Sequence, residues 1–432
     1  MKILIKNGRL IDPYNNIDEK MDILVNNGIV EKIEPSITES VDKTIDANGM
    51  WVTPGFIDLH VHLREPGYEH KETIATGTRS AVMGGFTTIC CMPNTKPVTD
   101  NEILVEYIKM KAEREGVCKV LPVGAITVGQ KGESLADIGK MANAGACAIS
   151  EDGFTVENAG LLKTAIKYAE MFNIPVFSHC EDVTLAGGSM NAGDTATRLG
   201  LKGISNESES VIVSRDIILA DSLNAPIHLC HMSTKGSVDL IKEAKDRGSK
   251  VTAEVTPHHF TLVDEDITDY DGNFKMSPPL RSIQDRAAII EALKNDIIEV
   301  IATDHAPHHI DEKNVEFERA LNGIVGLETA LSLSISELVE KGVLTPFKLI
   351  EKLTKNPAKI LRRKDLGHLS VGANADITII DPNVKYKINV ENFVSKSKNS
   401  PFNDREVTGK VLYTLVNGKI MVENGQLREE LK

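Results

Sequence analysis

Five points in this 432-residue chain close a short apolar run with a residue able to ligate a divalent cation. They are His60-Val61-His62, Ser150-Glu151-Asp152, His179, His231 and Thr303-Asp304. Imidazole nitrogens and carboxylate oxygens make an all N/O donor set suited to Zn²⁺ or a similar ion, and no thiolate is needed. Histidines two apart on a strand point to the same face, so His60 and His62 can bind one ion together. Catalytic zinc usually keeps three protein ligands and an open position, so six candidates suggest two ions per chain bridged by a carboxylate. Taken singly, each residue has a plainer explanation: a strand-end histidine can bond backbone, and Asp152 or Asp304 can cap a helix. Together, at the same end of successive units, they favour a metal site.

The elements that must position these residues follow from the pattern around them. Short apolar runs alternate with amphipathic stretches, the signature of parallel βα units. Eight runs are predicted as strands: 55–60, 86–91, 119–123, 146–150, 174–179, 226–231, 250–255 and 298–304. Helices are predicted between them, among others over 101–115, 157–173, 237–247 and 282–296. Eight strand–helix units over about 310 residues match a (β/α)₈ barrel, whose active sites lie at the C-terminal strand ends. A doubly wound open sheet is the competing architecture. The first residues, with Ile3-Leu4-Ile5 before Asn7-Gly8 and Ile23-Leu24-Val25 before Asn27-Gly28, read instead as β hairpins. The tail repeats this pattern, ending Val411–Val416 before Asn417-Gly418. The expected organisation is therefore a barrel over 54–365 and a small β-sandwich assembled from 1–53 and 366–432.

Bulk properties narrow the function. Hydrophobic residues are 41% and charged residues 26%, an ordinary globular composition. The net charge of -13 argues against nucleic acid or an anionic membrane as partner, and it requires a dedicated local cation for any anionic substrate. No apolar run reaches the roughly 18 residues of a membrane span, and the first residues lead into a strand rather than a signal peptide. The six cysteines include no CxxC pair and lie mostly in apolar runs, as buried thiols in a reducing cytoplasm do. The expected partner is a small molecule.

The stretch Gly55-Phe56-Ile57-Asp58-Leu59-His60-Val61-His62-Leu63-Arg64-Glu65-Pro66-Gly67 resembles the type I dihydroorotases of the amidohydrolase superfamily. The likeness continues through Met92-Pro93-Asn94-Thr95, Ser150-Glu151-Asp152-Gly153, Ser178-His179-Cys180-Glu181 and Pro278-Pro279-Leu280-Arg281. It extends to Thr303-Asp304-His305-Ala306-Pro307-His308, 323–329 and Asn356-Pro357-Ala358-Lys359. The resemblance implies a metal-bearing barrel with a β-sandwich from both termini and the interconversion of N-carbamoyl-aspartate and dihydroorotate. It also implies a homodimer and association with aspartate transcarbamoylase. Hydantoinase-like and allantoinase-like relatives generally carry a carboxylated lysine at the fourth-strand position, where this chain has Asp152. That residue favours dihydroorotase over other cyclic amidohydrolases. A catalytically silent scaffold for the transcarbamoylase is a further alternative, disfavoured because all six candidate ligands are present.

Amide hydrolysis near neutral pH needs an activated water and a polarised carbonyl, and a divalent ion supplies both. Asp304 then fits as the proton shuttle between the nucleophile and the leaving ring nitrogen. Arg64, two residues beyond His62, would reach the same mouth if the extended path continued, and its planar fork suits a carboxylate. By resemblance, Asn94 and His308 also bind substrate, and Gly323 contributes a backbone contact. Ser277 stands where the family commonly has asparagine, which puts that substrate contact in doubt, and Asn322 replaces a frequent aromatic residue. His228 is expected between strand and helix, on the face opposite His231. His258 and His259 are not needed as ligands, and His70, His305, His309 and His368 are structural or on the surface.

Overall fold

The computed structural model describes residues 1–431. Eight parallel strands form the central sheet: Phe56–Val61, Phe86–Cys91, Lys119–Ala125, Ala148–Ser150, Val176–Ser178, Ile227–Leu229, Val251–Val255 and Val300–Ile301. They follow one another around the sheet in chain order. A parallel bridge between Val61 and His305 joins the first strand to the segment after the eighth, and His62 N donates to His305 O at 2.8 Å. The carboxylate of Asp58 strengthens this seam by accepting from Thr303 N at 3.1 and 3.3 Å. The result is the expected (β/α)₈ barrel rather than an open doubly wound sheet.

The surrounding helices begin where side chains can satisfy their free N–H groups. Asn101, Asn158, Thr234 and Ser282 cap the helices Glu102–Glu115, Ala159–Met171, Lys235–Asp246 and Ile283–Lys294, each accepting from a first-turn backbone N–H. Helix faces bearing Val105, Ile166, Ile217, Ile241 and Ile289 pack on the outward strand residues Ile89, Ile149, Val176, Leu229 and Ile301 in one continuous core. Cys90, Val123, Ala148, Phe177, Cys230 and Val300 belong to a separate buried cluster. All six cysteines are free, and five of them are buried.

The two ends of the chain build one nine-stranded sheet, with Trp51–Pro54 joining Lys2–Asp12 to Ile377–Lys387, which forms the long C-terminal pair with Glu406–Val416. Its strands share a core that includes Ile3, Ile23, Val52, Ile377 and Leu415, which is sandwich packing even though the hydrogen bonding is continuous. Asn7-Gly8 does not turn the chain. The register with the second strand shifts between Ile5 and Gly8, Asn7 adopts φ 66°, and Asp22 Oδ1 accepts from Asn7 N. A bulge inside one long strand thus stands where a hairpin was expected. Asn27-Gly28 and Asn417-Gly418 are hairpin turns with both residues at positive φ, as predicted. Residues 388–405, between the two long C-terminal strands, leave the sheet and return to the barrel mouth. Among the described residues, no helix is long and apolar enough to cross a membrane.

Candidate active site at the C-terminal strand ends

Asp152 lies at the centre of the site. Its Oδ1 is 3.2 Å from His60 Nε2, 3.4 Å from His179 Nδ1 and 3.7 Å from His231 Nε2, and its Oδ2 is 3.4 Å from His62 Nε2. Asp304 Oδ1 approaches His62 Nε2 at 3.0 Å and His60 Nε2 at 3.5 Å. All six residues named from the sequence as ligands therefore meet, and all six are buried. Two overlapping triads, His60–Asp152–His231 and His60–His62–Asp304, bring donor atoms within 4.8 Å of one another and could hold metal ions.

Three observations fit a cation at this place. His60 Nε2 is buried without a hydrogen-bond partner, and His179 Nδ1 faces His231 Nε2 at 3.0 Å, two ring nitrogens in contact. Burial opposes ionisation of Asp152 and Asp304, yet the surrounding imidazoles hold both carboxyls well below the usual range. Cys230 also lies beside His60 and Glu254, and burial pushes its thiol up.

The next layer fixes the rings. His60 Nδ1 pairs with Glu254 Oε1 at 2.9 Å, and Glu254 Oε2 pairs with His228 Nε2 at 3.0 Å. Against the cost of burial, these two histidines hold the Glu254 carboxyl down at about 2. A carboxylate accepting from Nδ1–H leaves the Nε2 lone pair of His60 directed at the cluster. Asn94 does the same for His62, with its Oδ1 2.9 Å from Nδ1, while its Nδ2 donates to Asp152 Oδ2 at 3.4 Å. The Asn94 carboxamide is thus engaged by two of the cluster residues as well as lining the cavity.

Strand alternation misplaced one residue and reached another by the wrong route. His228 does not pack against the helices. It points at Glu254 of the next strand and stacks edge-on against Phe177. Alternation fails because His231 lies beyond the strand end in the left-handed region, at φ 39°, which turns its ring inward as well. Arg64 reaches the mouth, but through a left-handed residue at φ 60° and not along a continued extended path. Asp304, at φ 44°, shares this conformation. Such backbone costs about 1–3 kcal/mol per residue and persists where the surroundings enforce it, commonly at functional sites.

The cavity above the cluster encloses about 400 Å³. Arg64, Asn94, Ser277 and His308 line it together with five of the cluster residues, and Phe154, Met276 and Leu321 supply apolar wall. Arg64 Nε donates to Pro307 O at 3.1 Å and its Nη2 lies 3.3 Å from His308 Nε2. Lys71 Nζ is 3.2 Å from His308 Nδ1, and His308 Nε2 meets Asn322 O at 2.9 Å. Burial, with Arg64 and Lys71 nearby, holds His308 far below the usual imidazole range, so it is neutral, donates from Nε2 and accepts from Lys71. At this end of the cavity Arg64 is the local cation that a chain of net charge -13 needs for an anionic ligand, while Lys71, behind His308, pairs with Glu312 at 3.0 Å.

Gly323 does not line the cavity. Its N–H donates to Lys275 O and its carbonyl accepts from Asn399 and Lys313. A Cβ there would lie 2.5 Å from Ala306 O and 2.7 Å from His308 Cδ2, so glycine allows the close approach of two loops. Ser277 Oγ bonds Glu181 Oε1 at 3.2 Å. Glu181, Lys71, Glu254 and Asn399 were not identified from the sequence. Only Glu181 carried a local signal, since it follows His179 by two residues as Arg64 follows His62.

A dihydro-orotase-like family model matches residues 49–237, and a model of the amidohydrolase family matches residues 189–422. The chain is 52% identical over 423 residues to a dihydroorotase of Geobacter metallireducens, covering 98% of this chain and 99% of that one. It is also 52% identical over 421 residues to a dihydroorotase of Acetivibrio thermocellus, covering 97% and 99%. Among solved structures, the L-hydantoinase (dihydropyrimidinase) of Arthrobacter aurescens superposes with a TM-score of 0.90 at 27% identity, covering 99% of this chain and 97% of that one. The dihydropyrimidinase of Brevibacillus agri, at TM-score 0.87 and 24% identity over 99% and 96% of the two chains, shares the fold.

Proposed function

Because the chain belongs to the dihydroorotase family of amidohydrolases, we propose that it interconverts N-carbamoyl-L-aspartate and (S)-dihydroorotate in pyrimidine biosynthesis. The observation that carries this reading over a hydantoinase is Asp152, within 3.7 Å of all four imidazoles at the fourth strand end. We assign His60, His62, Asp152, His179, His231 and Asp304 as the residues that would hold two Zn²⁺ ions. When bound, such ions make water a nucleophile near neutral pH and polarise the scissile carbonyl.

The chain's own groups do the rest. Arg64, with neutral His308 beside it, binds the substrate carboxylate by charge-assisted hydrogen bonds. Asn94 keeps His62 in the ligating tautomer and borders the substrate. Asp304, 3.0 Å from His62 Nε2, takes the proton of the attacking water at its carboxylate and delivers it to the ring nitrogen as the C–N bond breaks. In cyclisation it takes the proton from the carbamoyl nitrogen and returns it to the departing oxygen. Ser277, bonded to Glu181, presents a shorter polar group than asparagine to the ring.

The deciding experiment measures hydrolysis of dihydroorotate by purified, metal-analysed protein. Turnover of hydantoin or allantoin with none of dihydroorotate would overturn the reading. A homodimer in the cytoplasm, in association with aspartate transcarbamoylase, belongs to the same proposal. Sedimentation of the chain with and without the transcarbamoylase tests the assembly.

A further inference from the structure

The substrate end of the cavity is walled by two irregular segments, Ala306–His308 after the eighth strand and Leu321–Gly323. Asn399 stands between them. It comes from the excursion 388–405 of the terminal sheet, far from the barrel in sequence, and is 4% exposed. Its Oδ1 accepts from His308 N at 3.0 Å, and its Nδ2 donates to Ala306 O at 3.0 Å and Gly323 O at 2.9 Å. Its own carbonyl accepts from Val325 N at 3.0 Å. One acceptor and two donors on a planar carboxamide are matched by one N–H and two carbonyls, so every polar group of the side chain has a partner.

The excursion is itself tied down. The half-buried carboxyl of Glu328 accepts from Val394 N at 2.8 Å and Ser395 N at 3.0 Å, and Ser397 Oγ donates to Lys71 O at 2.7 Å. Ser397 thereby fixes the backbone of the lysine that bonds His308 from the other side. We propose that Asn399 is a positioning residue: it clamps the two loops so that His308, with Asn322 and Arg64 bonded to those loops, faces the substrate. The terminal sheet thus completes a site whose chemistry lies in the barrel. This inference rests on the assignment of His308 and Arg64 to substrate binding.

Asn399→Ala leaves His308 N and Ala306 O buried without their partner. Asn399→Asp keeps the acceptor but sets an anionic oxygen against two carbonyls. With metal-loaded full-length protein, both variants are expected to raise KM for dihydroorotate about tenfold or more, the aspartate substitution carrying the larger effect, with kcat changed less than about threefold. Metal content is expected to match the wild type. An unchanged KM, or a parallel loss of kcat and metal, would overturn the clamp. Hydrogen exchange on the unmodified protein gives an independent reading: the His308 amide should be protected like a strand amide despite lying in a loop. Exchange at the rate of an exposed loop would also overturn the inference. If the wild type fails to turn over dihydroorotate, the functional assignment falls, and the exchange measurement still judges the clamp.

Discussion

The two halves of the cavity are built on different principles. The cluster residues lie in a barrel strand or just past its C-terminal end, the rings of His60 and His62 are fixed by Glu254 and Asn94, and all six are buried. The substrate-facing residues sit on irregular loops and are held by groups from remote parts of the chain, Asn399 foremost. The first arrangement is anchored on the ends of rigid strands. The second permits a different substrate to be selected by changing loops on the same barrel.

This contrast can be broken experimentally. The largest effect is expected for Asp304→Asn, which removes the residue proposed as both ligand and proton carrier; kcat should fall by about 10²- to 10⁴-fold, read alongside metal content. Retained turnover would remove Asp304 from the chemistry. Arg64→Met should raise KM for dihydroorotate by about 10- to 100-fold through loss of a charge-assisted contact, with bound metal unchanged. Loss of metal in that variant would join the two halves that the structure separates. Glu254→Gln replaces the acceptor facing His60 Nδ1 by a group that can donate, which favours the wrong tautomer. Metal affinity, measured by competition with a chromophoric chelator, should weaken about 10- to 100-fold. An unaltered affinity would show that the ring needs no such support. Ser277→Ala removes one hydrogen bond to the Glu181 carboxylate, and KM should move by less than about tenfold.

The same division sets what the sequence revealed. Barrel, terminal sheet and the meeting of all six cluster residues were legible because apolar strand runs alternate with amphipathic stretches, and a histidine or aspartate stands out at the close of five of the eight runs. Arg64 was reached through an extended path that the chain does not follow, since only a left-handed residue brings it to the mouth. His228 was misread because alternation cannot see that His231 is kinked. Glu254 and Lys71 look like ordinary strand and surface residues until the fold sets them beside His60 and His308. Asn399 has no local signal at all, for its three partners lie between 76 and 93 positions away.

The barrel seam has a mechanical consequence. His60 and His62 lie on one side of it and Asp304 on the other, at the two ends of the ring's chain, where a single bridge and the Asp58 carboxylate supply the closure. An ion held by residues from both sides would act as a latch on that ring. Loading it should therefore raise the melting temperature and slow exchange most strongly at Thr303 and His62, the amides that span the join.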